Sequence, residues 1–327
     1  MEVGKVPTDI LKEVIFKNIQ HKRSEVLVRP NIGEDCAVVD FGENVCVMST
    51  DPITGAVKDI GSLSIHISCN DIASNGVEPI GVMMTILAPI GTTKEDLSYV
   101  MQEANRAAAS INVEIIGGHS EITDAVNRMV ITTTAIGKQK KAAMVTSKGA
   151  QVGDHVIMTK HAGLEGTAII AADLEDQLRK AIPQEVIDNA KGFAKKISVV
   201  KEGVLAGTVG VNSMHDVTEG GILGALWELA EASQVGIEVY EDKIPIASET
   251  LKICAELSID PLRLISSGVM VMAASKEKAQ VLLETFKEHA IEATMIGKIT
   301  KEEKVILKGT TKNPLEAPKT DELYKVI

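Results

Sequence analysis

Residues 113–123 read VEIIGGHSEIT, a strand-like apolar run that reaches two glycines and then a histidine, a serine and a glutamate. Lacking a Cβ, glycine lets the backbone turn sharply or come close to a ligand. Gly117 and Gly118 therefore predict a strand end whose N–H groups approach a bound phosphate, with Glu121 just beyond as a metal ligand. The other reading of the glycine pair is a plain turn. His119 has two readings as well, a donor beside the phosphate or a structural histidine.

Working outward, acidic residues stand at similar punctuation points through the same half of the chain. Glu34 and Asp35 lie in GEDCAVV, Asp51 in STDPITG and Asp71 in SCNDIASNG, with Asn70 a neighbouring candidate for nucleotide contact. A single strand-end aspartate usually closes a turn or caps a helix. Several carboxylates converging from different element ends suit Mg²⁺, which takes oxygen ligands and bridges protein carboxylates to phosphates. Asp35, Asp51, Asp71 and Glu121 are the candidate metal ligands. Cys36 and Cys69 flank these acids but read as small buried residues rather than nucleophiles.

Around these sites the periodicities alternate between 3.6 and 2. The run TDILKEVIFKNI has helical spacing with Thr8 or Asp9 as N-cap; AVVDF and VCVMST form a hairpin across GEN; GSLSIHISCNDIAS is a helix packed closely on a sheet, with Gly76 just past its end. PIGVMMTILAP reads as a strand, TKEDLSYVMQEANRAAASIN as an amphipathic helix, VEIIGG and RMVITTTAIG as strands. Periodicity lapses over 138–153, which places a domain boundary there and divides the chain into 1–145 and 146–327. The second part repeats the strand and helix rhythm, and only the final TKNPLEAPKTDELYKVI lacks a clear pattern.

That second part supplies two more anion candidates at strand-to-helix junctions, where unpaired N–H groups attract negative charge. Lys160 and Gly163 stand in TKHAGLEGTAII; Asp216, Gly220 and Gly221 stand in MHDVTEGGILGALWELA. In the second motif Asp216 or Thr218 also reads as a helix cap. Neither a Walker A loop nor GxGxxG occurs.

Composition narrows the class. Aromatics make up only 2% of 327 residues, so the core is built from aliphatic side chains. The formal charge of −11, with no dense basic stripe, argues against a nucleic-acid surface, and any bound anion needs local donors and bridging cations. Four cysteines without a CxxC pair, no signal-type opening and no membrane-length apolar run point to a cytoplasmic protein.

Taken together, NIGEDCAVVD, STDPITGA, NDIASNGVEPIGV, IIGGHSEIT, MHDVTEGGILGALWELAEAS and LISSGVMVMA resemble the PurM-like, AIR synthase-related ATP-binding superfamily over nearly the whole chain. Its members include aminoimidazole ribonucleotide synthetase, thiamine-monophosphate kinase, selenophosphate synthetase and the hydrogenase-maturation protein HypE, and the HypE-like branch is the nearest in motif. The resemblance implies an α+β, PurM-like two-domain fold, with an N-terminal domain that builds an intersubunit β-barrel in a homodimer and a C-terminal α/β sandwich domain. It also implies ATP and Mg²⁺ in the cleft, transfer of phosphoryl to an acceptor that the sequence does not name, and a hydrogenase-maturation-type partner protein. The alternatives are a small-molecule kinase akin to thiamine-monophosphate kinase and a non-catalytic nucleotide-binding accessory protein. Two departures bear on the branch. HypE ends in a cysteine that carries the group to be dehydrated, whereas this sequence ends DELYKVI with no cysteine after Cys254. His119 stands where kinase and HypE relatives carry aspartate, as in selenophosphate synthetase, yet the reactive N-terminal cysteine and lysine of that enzyme have no counterpart, Lys5 lying in a different context.

Overall fold

Alternating burial along β3 (Asn44–Ile53) and β6 (Val130–Lys140) makes one face of a sheet, with Val45, Val47, Ile131 and Ala135 turned inward. The protein is seen here as a computed structural model that describes residues 6–54 and 59–327; Lys5 and the last two residues of STDPITGA lie outside them. The expected hairpin is present, β2 (Ala37–Phe41) pairing with β3 across Gly42, whose φ of 87° suits a tight turn. With β1 (Val26–Val28), β4 (Pro79–Pro89) and β5 (Glu114–Thr123) these strands form a six-stranded sheet ordered β1-β2-β3-β6-β4-β5. Near the N-terminus α1 (Thr8–Ile10) continues as a π-helical turn over Leu11–Phe16, and its N-cap is Pro7 rather than Thr8 or Asp9.

Parallel strands need a long crossover, and α3 (Lys94–Ser110), opened by a Thr93–Asp96 capping box, supplies it between β4 and β5. The strand expected to stop at Gly117–Gly118 instead runs on to Thr123. The register shifts beside Ile116, where Val82 pairs with Ile115 but Met83 with Gly117, so the glycines belong to a β-bulge. A Cβ on Gly118 would lie 1.8 Å from the Met84 carbonyl oxygen. Close approach of β4 therefore requires glycine at this position.

The helix α2 (Ile60–Ser74) is buried on nearly every side, as expected of a helix between two layers. Ser68 Oγ donates to the Thr133 carbonyl of β6, and Gly76, at φ 73°, follows the C-cap as the sequence predicts. On its far side α2 meets α7 (Val200–Val209) of the second domain. The Asn70 side chain joins the domains directly: its amide donates to the Ile197 carbonyl at 2.8 Å and accepts from Val199 N–H at 2.9 Å.

The second domain has a seven-stranded sheet ordered β13-β12-β9-β11-β7-β10-β8. Its strands are β7 (His155–Thr159), β8 (Ser213–Val217), β9 (Gly236–Tyr240), β10 (Val269–Ala274), β11 (Ala293–Thr300), β12 (Lys304–Lys308) and β13 (Thr311–Pro314). β10 and its neighbour β8, at the end of the sheet, are buried at every residue, and β10 reads as a continuous apolar run, VMVMAA. Helices α4 (Leu164–Asp173), α5 (Glu175–Leu178), α6 (Gln184–Lys191), α8 (Gly221–Ala232), α9 (Ser248–Leu257) and α10 (Lys276–Glu288) complete the domain. The fold is the expected two-domain α+β arrangement. Among the described residues no helix is long and apolar enough to cross a membrane.

The terminal segment, patternless in sequence, is packed. Leu315 and Leu323 are buried, and the Asp321 carboxylate accepts backbone N–H bonds from Gly220 at 2.6 Å, Leu323 at 2.8 Å and Ile265 at 3.2 Å.

Candidate active site

A cleft of about 530 Å³ opens between the domains, and of the acids picked out in the first half of the sequence Glu34, Asp35, Asp51 and Asp71 meet there, whereas Glu121 does not. Glu34 and Asp35 come from the β1–β2 loop, Asp51 from β3, Asp71 from the last turn of α2, and Thr218 and Glu219 from the β8–α8 turn. Asp216 stands behind this wall on β8: ligand-type atoms of Asp35, His215 and Asp216 lie within 4.8 Å of one another.

Electrostatics records how closely the carboxylates crowd. Asp71 is 5% exposed and accepts a hydrogen bond from Ser49 Oγ at 2.5 Å. Burial first, then the neighbouring Asp216, Asp51 and Asp35, hold its carboxyl well above the usual carboxylate range. Glu34 is pushed up to about 7, mainly by burial. Such a set is short of positive charge, and a hard divalent cation with oxygen preference is the group that its donors fit.

His215 supplies one internal cation. Its Nδ1 lies 2.7 Å from Asp35 Oδ2 and its Nε2 3.1 Å from Glu228 Oε2. Burial alone pulls the imidazole down, but Asp35 and Glu228 outweigh it and raise the ring well above its ordinary value. An imidazolium with both nitrogens facing carboxylates donates hydrogen bonds and has no lone pair for a metal. His215 therefore orients Asp35 and ties the β1–β2 loop to the second domain, and the aspartates are the candidate metal donors of the set. Sequence reading passed over Glu228; the available signal was a lone acid in the apolar run GALWELA.

The other predicted contacts are placed differently. Lys160, at φ 52°, turns its ammonium to the Ser198 carbonyl at 2.7 Å, the Gly268 carbonyl at 2.8 Å and Glu202 at 2.7 Å, so its three protons are engaged inside the domain. Gly163 N–H bonds to Ser266 Oγ, and Gly220 N–H to the Asp321 carboxylate. Gly221 is held by close packing, since a Cβ there would lie 2.6 Å from the Leu262 carbonyl oxygen. On the edge strand β5, Gly117, Gly118, His119 and Glu121 are exposed and do not line the cleft of their own chain; His119 Nε2 lies 3.4 Å from Glu121. Cys36 donates to the Asp71 carbonyl, and burial followed by the surrounding aspartates keeps its thiol protonated.

These shifts set a pH dependence. Glu34 and Glu165 titrate at about 7 in the fold against an ordinary 4.5, both chiefly through burial, so the folded state holds protons that the unfolded chain has lost. Between pH 6.5 and about pH 8 each should cost ~1 kcal/mol of stability. The raised His215 adds the same sign, its contribution being complete below its unfolded value and lost as pH rises. His66, pushed down to about 4 by burial and then by Lys160, acts oppositely but only below about pH 6.5. Thermal melts without metal should therefore show a falling melting point from pH 6.5 to about pH 8; a flat or rising profile would contradict the assignment.

Two layered domains closing on an acid-lined cleft set the architecture of the protein, and comparison with known proteins specifies its family. Residues 33–139 match the AIR synthase related protein N-terminal domain and residues 151–309 the C-terminal domain. The chain belongs to the AIR synthase related family and has the PurM-like two-domain fold. It is 32% identical over 93% of its length to a putative hydrogenase expression/formation protein of Methanocaldococcus jannaschii, covering 90% of that protein. It is 27% identical to the carbamoyl dehydratase HypE of Bradyrhizobium diazoefficiens over 79% of this chain and 75% of that one. The HypE of the HypE–HypF complex superposes with a TM-score of 0.79 at 25% identity, over 94% of this chain and 99% of that one. A ThiL complexed with AMPPCP and TMP gives 0.74 at 18% identity, over 95% and 97%. HypE in complex with ATP gives 0.69 at 21% identity, over 98% and 97%.

Proposed function

We propose that the cleft binds Mg²⁺-ATP and that the protein is a HypE-like maturation factor, activating an acceptor by phosphoryl transfer in the cytoplasm. One observation carries this reading: Asp35, Asp51, Asp71 and Asp216, drawn from both domains, crowd so closely that Asp71 is driven toward its neutral form. In this reading these four hold the cation, which supplies charge neutralisation at the phosphates. His215 fixes the Asp35 carboxylate, and the Ser49 hydroxyl fixes that of Asp71. The relatives named HypE and carbamoyl dehydratase support the assignment, as do the solved HypE with ATP and the HypE–HypF complex, which makes a HypF-type protein the expected partner. The ThiL neighbours keep a small-molecule kinase as the second reading, and a binding-only accessory role as the third. Calorimetric titration with ATP should show saturable binding that depends on Mg²⁺; no heat with or without the cation would refute the nucleotide reading.

Gly117, Gly118, His119 and Glu121 then act only across an assembly, because they lie outside the cleft of their own chain. Apolar side chains on β4 and β5 are half-exposed in the single chain, Ile80 at 53%, Met83 at 51%, Ile116 at 49% and Ile122 at 51%. A partner sheet closing an intersubunit barrel would cover them. Light scattering at micromolar concentration should report a homodimer, and a monomeric mass would remove both the barrel and Glu121 from the site.

A further inference from the structure

A second cavity, of about 600 Å³, lies between α2 and α3 of the first domain and α4 and α6 of the second. It shares Leu63, Glu165 and Ile169 with the acid cleft, so the two adjoin at these side chains. Its volume is in the range of small-molecule sites.

Its inner surface carries polar atoms that the protein does not satisfy. Glu165, only 5% exposed, has Oε2 without a hydrogen-bond partner; so do Glu103 Oε2, also on a residue 5% exposed, and His66 Nδ1. They come from α4, α3 and α2 respectively. An unpartnered buried polar atom is costly to leave unsatisfied, and three around one cavity suit a ligand that brings hydrogen-bond donors. At the mouth stand the exposed cations Arg106 and Lys195. Lys191 beside them is already paired with Glu175 at 2.5 Å, while Asp59 and Asp173 on the same rim disfavour a polyanion.

We propose that this cavity is the acceptor subsite and takes a small anion, a carboxylate or phosphate monoester, whose far end carries O–H or N–H donors. The anion lies against Arg106 and Lys195, and the donor end meets Glu103, His66 and Glu165. Because Glu165 lines both cavities, the donor end is the part of the molecule nearest the acid cleft. The role as acceptor rests on the Mg²⁺-ATP reading; the ligand class rests on the cavity alone.

The test is calorimetry on the full chain with 4-aminobutyrate and glycerol 3-phosphate, and with butyrate and inorganic phosphate as probes lacking the donor end. Saturable binding of 4-aminobutyrate, glycerol 3-phosphate or both, at least tenfold tighter than the matching control, is expected. That affinity should fall about tenfold in Arg106→Gln and disappear in Ala172→Leu, which fills the cavity, with melting points and Mg²⁺-ATP affinity unchanged. Absence of saturable binding, equal binding of the controls, or full binding by Ala172→Leu would overturn the proposal. Probe binding by a wild-type protein that fails to bind Mg²⁺-ATP would refute the nucleotide reading and leave the ligand class standing.

Discussion

Asp71→Asn should lower Mg²⁺-dependent nucleotide affinity by roughly 100-fold, about 3 kcal/mol, while the protein without metal melts no earlier than the wild type. The two halves of this result have one cause. Asp71 sits in the last turn of α2 at 5% exposure, with its carboxyl held well above the ordinary range by burial and by Asp216, Asp51 and Asp35. Asparagine has nearly the same shape as the protonated acid, and its amide oxygen still accepts from Ser49 Oγ, so the protein without metal loses no contact and sheds a source of repulsion. A bound cation reverses this preference, because it needs the carboxylate that asparagine cannot supply. Parallel titrations with ATP, with and without Mg²⁺, together with thermal melts, separate these effects. Unchanged affinity would exclude Asp71 from the metal set, and a large drop in melting point would show that its role is structural.

The acid cleft was legible in sequence because each of its aspartates stands beside local punctuation, a loop, a strand end or the small residues of α2. Strand alternation in β3 and β6 and the close-packed character of α2 were legible for the same reason: both depend on neighbours in the chain. Long-range contacts defeated the other readings. The glycine pair at 117–118 answers to a bulge against β4, which sequence periodicity does not reveal. Lys160 and Gly220 look like anion contacts until their partners appear, Ser198, Glu202 and Gly268 for the lysine and Asp321 for the glycine. In both cases the protein satisfies the group from within, where a motif suggests a ligand.

The geometry of the cleft depends on how α2 meets the second domain, and Gly203→Val should test that contact most severely. At the crossing of α2 and α7 the two backbones touch: a Cβ on Gly203 would lie 2.2 Å from the Ala73 carbonyl oxygen, and one on Gly207 2.7 Å from the Gly76 Cα. Neither obstruction is the movable end of a side chain, so the helices must separate, and overpacking of this kind costs about 1–3 kcal/mol or more. Separation also pulls on the two Asn70 hydrogen bonds to Ile197 and Val199, and it shifts Asp71 and Ser74, one turn apart on the same helix, away from the acids opposite. Gly203→Val should accordingly lose about 3 kcal/mol in chemical denaturation and weaken Mg²⁺-dependent nucleotide binding, although residue 203 does not line the cleft. Gly192→Ala is the control, because an added Cβ there meets nothing within 4 Å. Its stability and affinity should match the wild type or slightly exceed it. Equal stability of the two variants would mean that the helices do not cross this closely, and destabilisation of Gly203→Val with full nucleotide affinity would mean that the cleft keeps its shape independently of the α2–α7 contact.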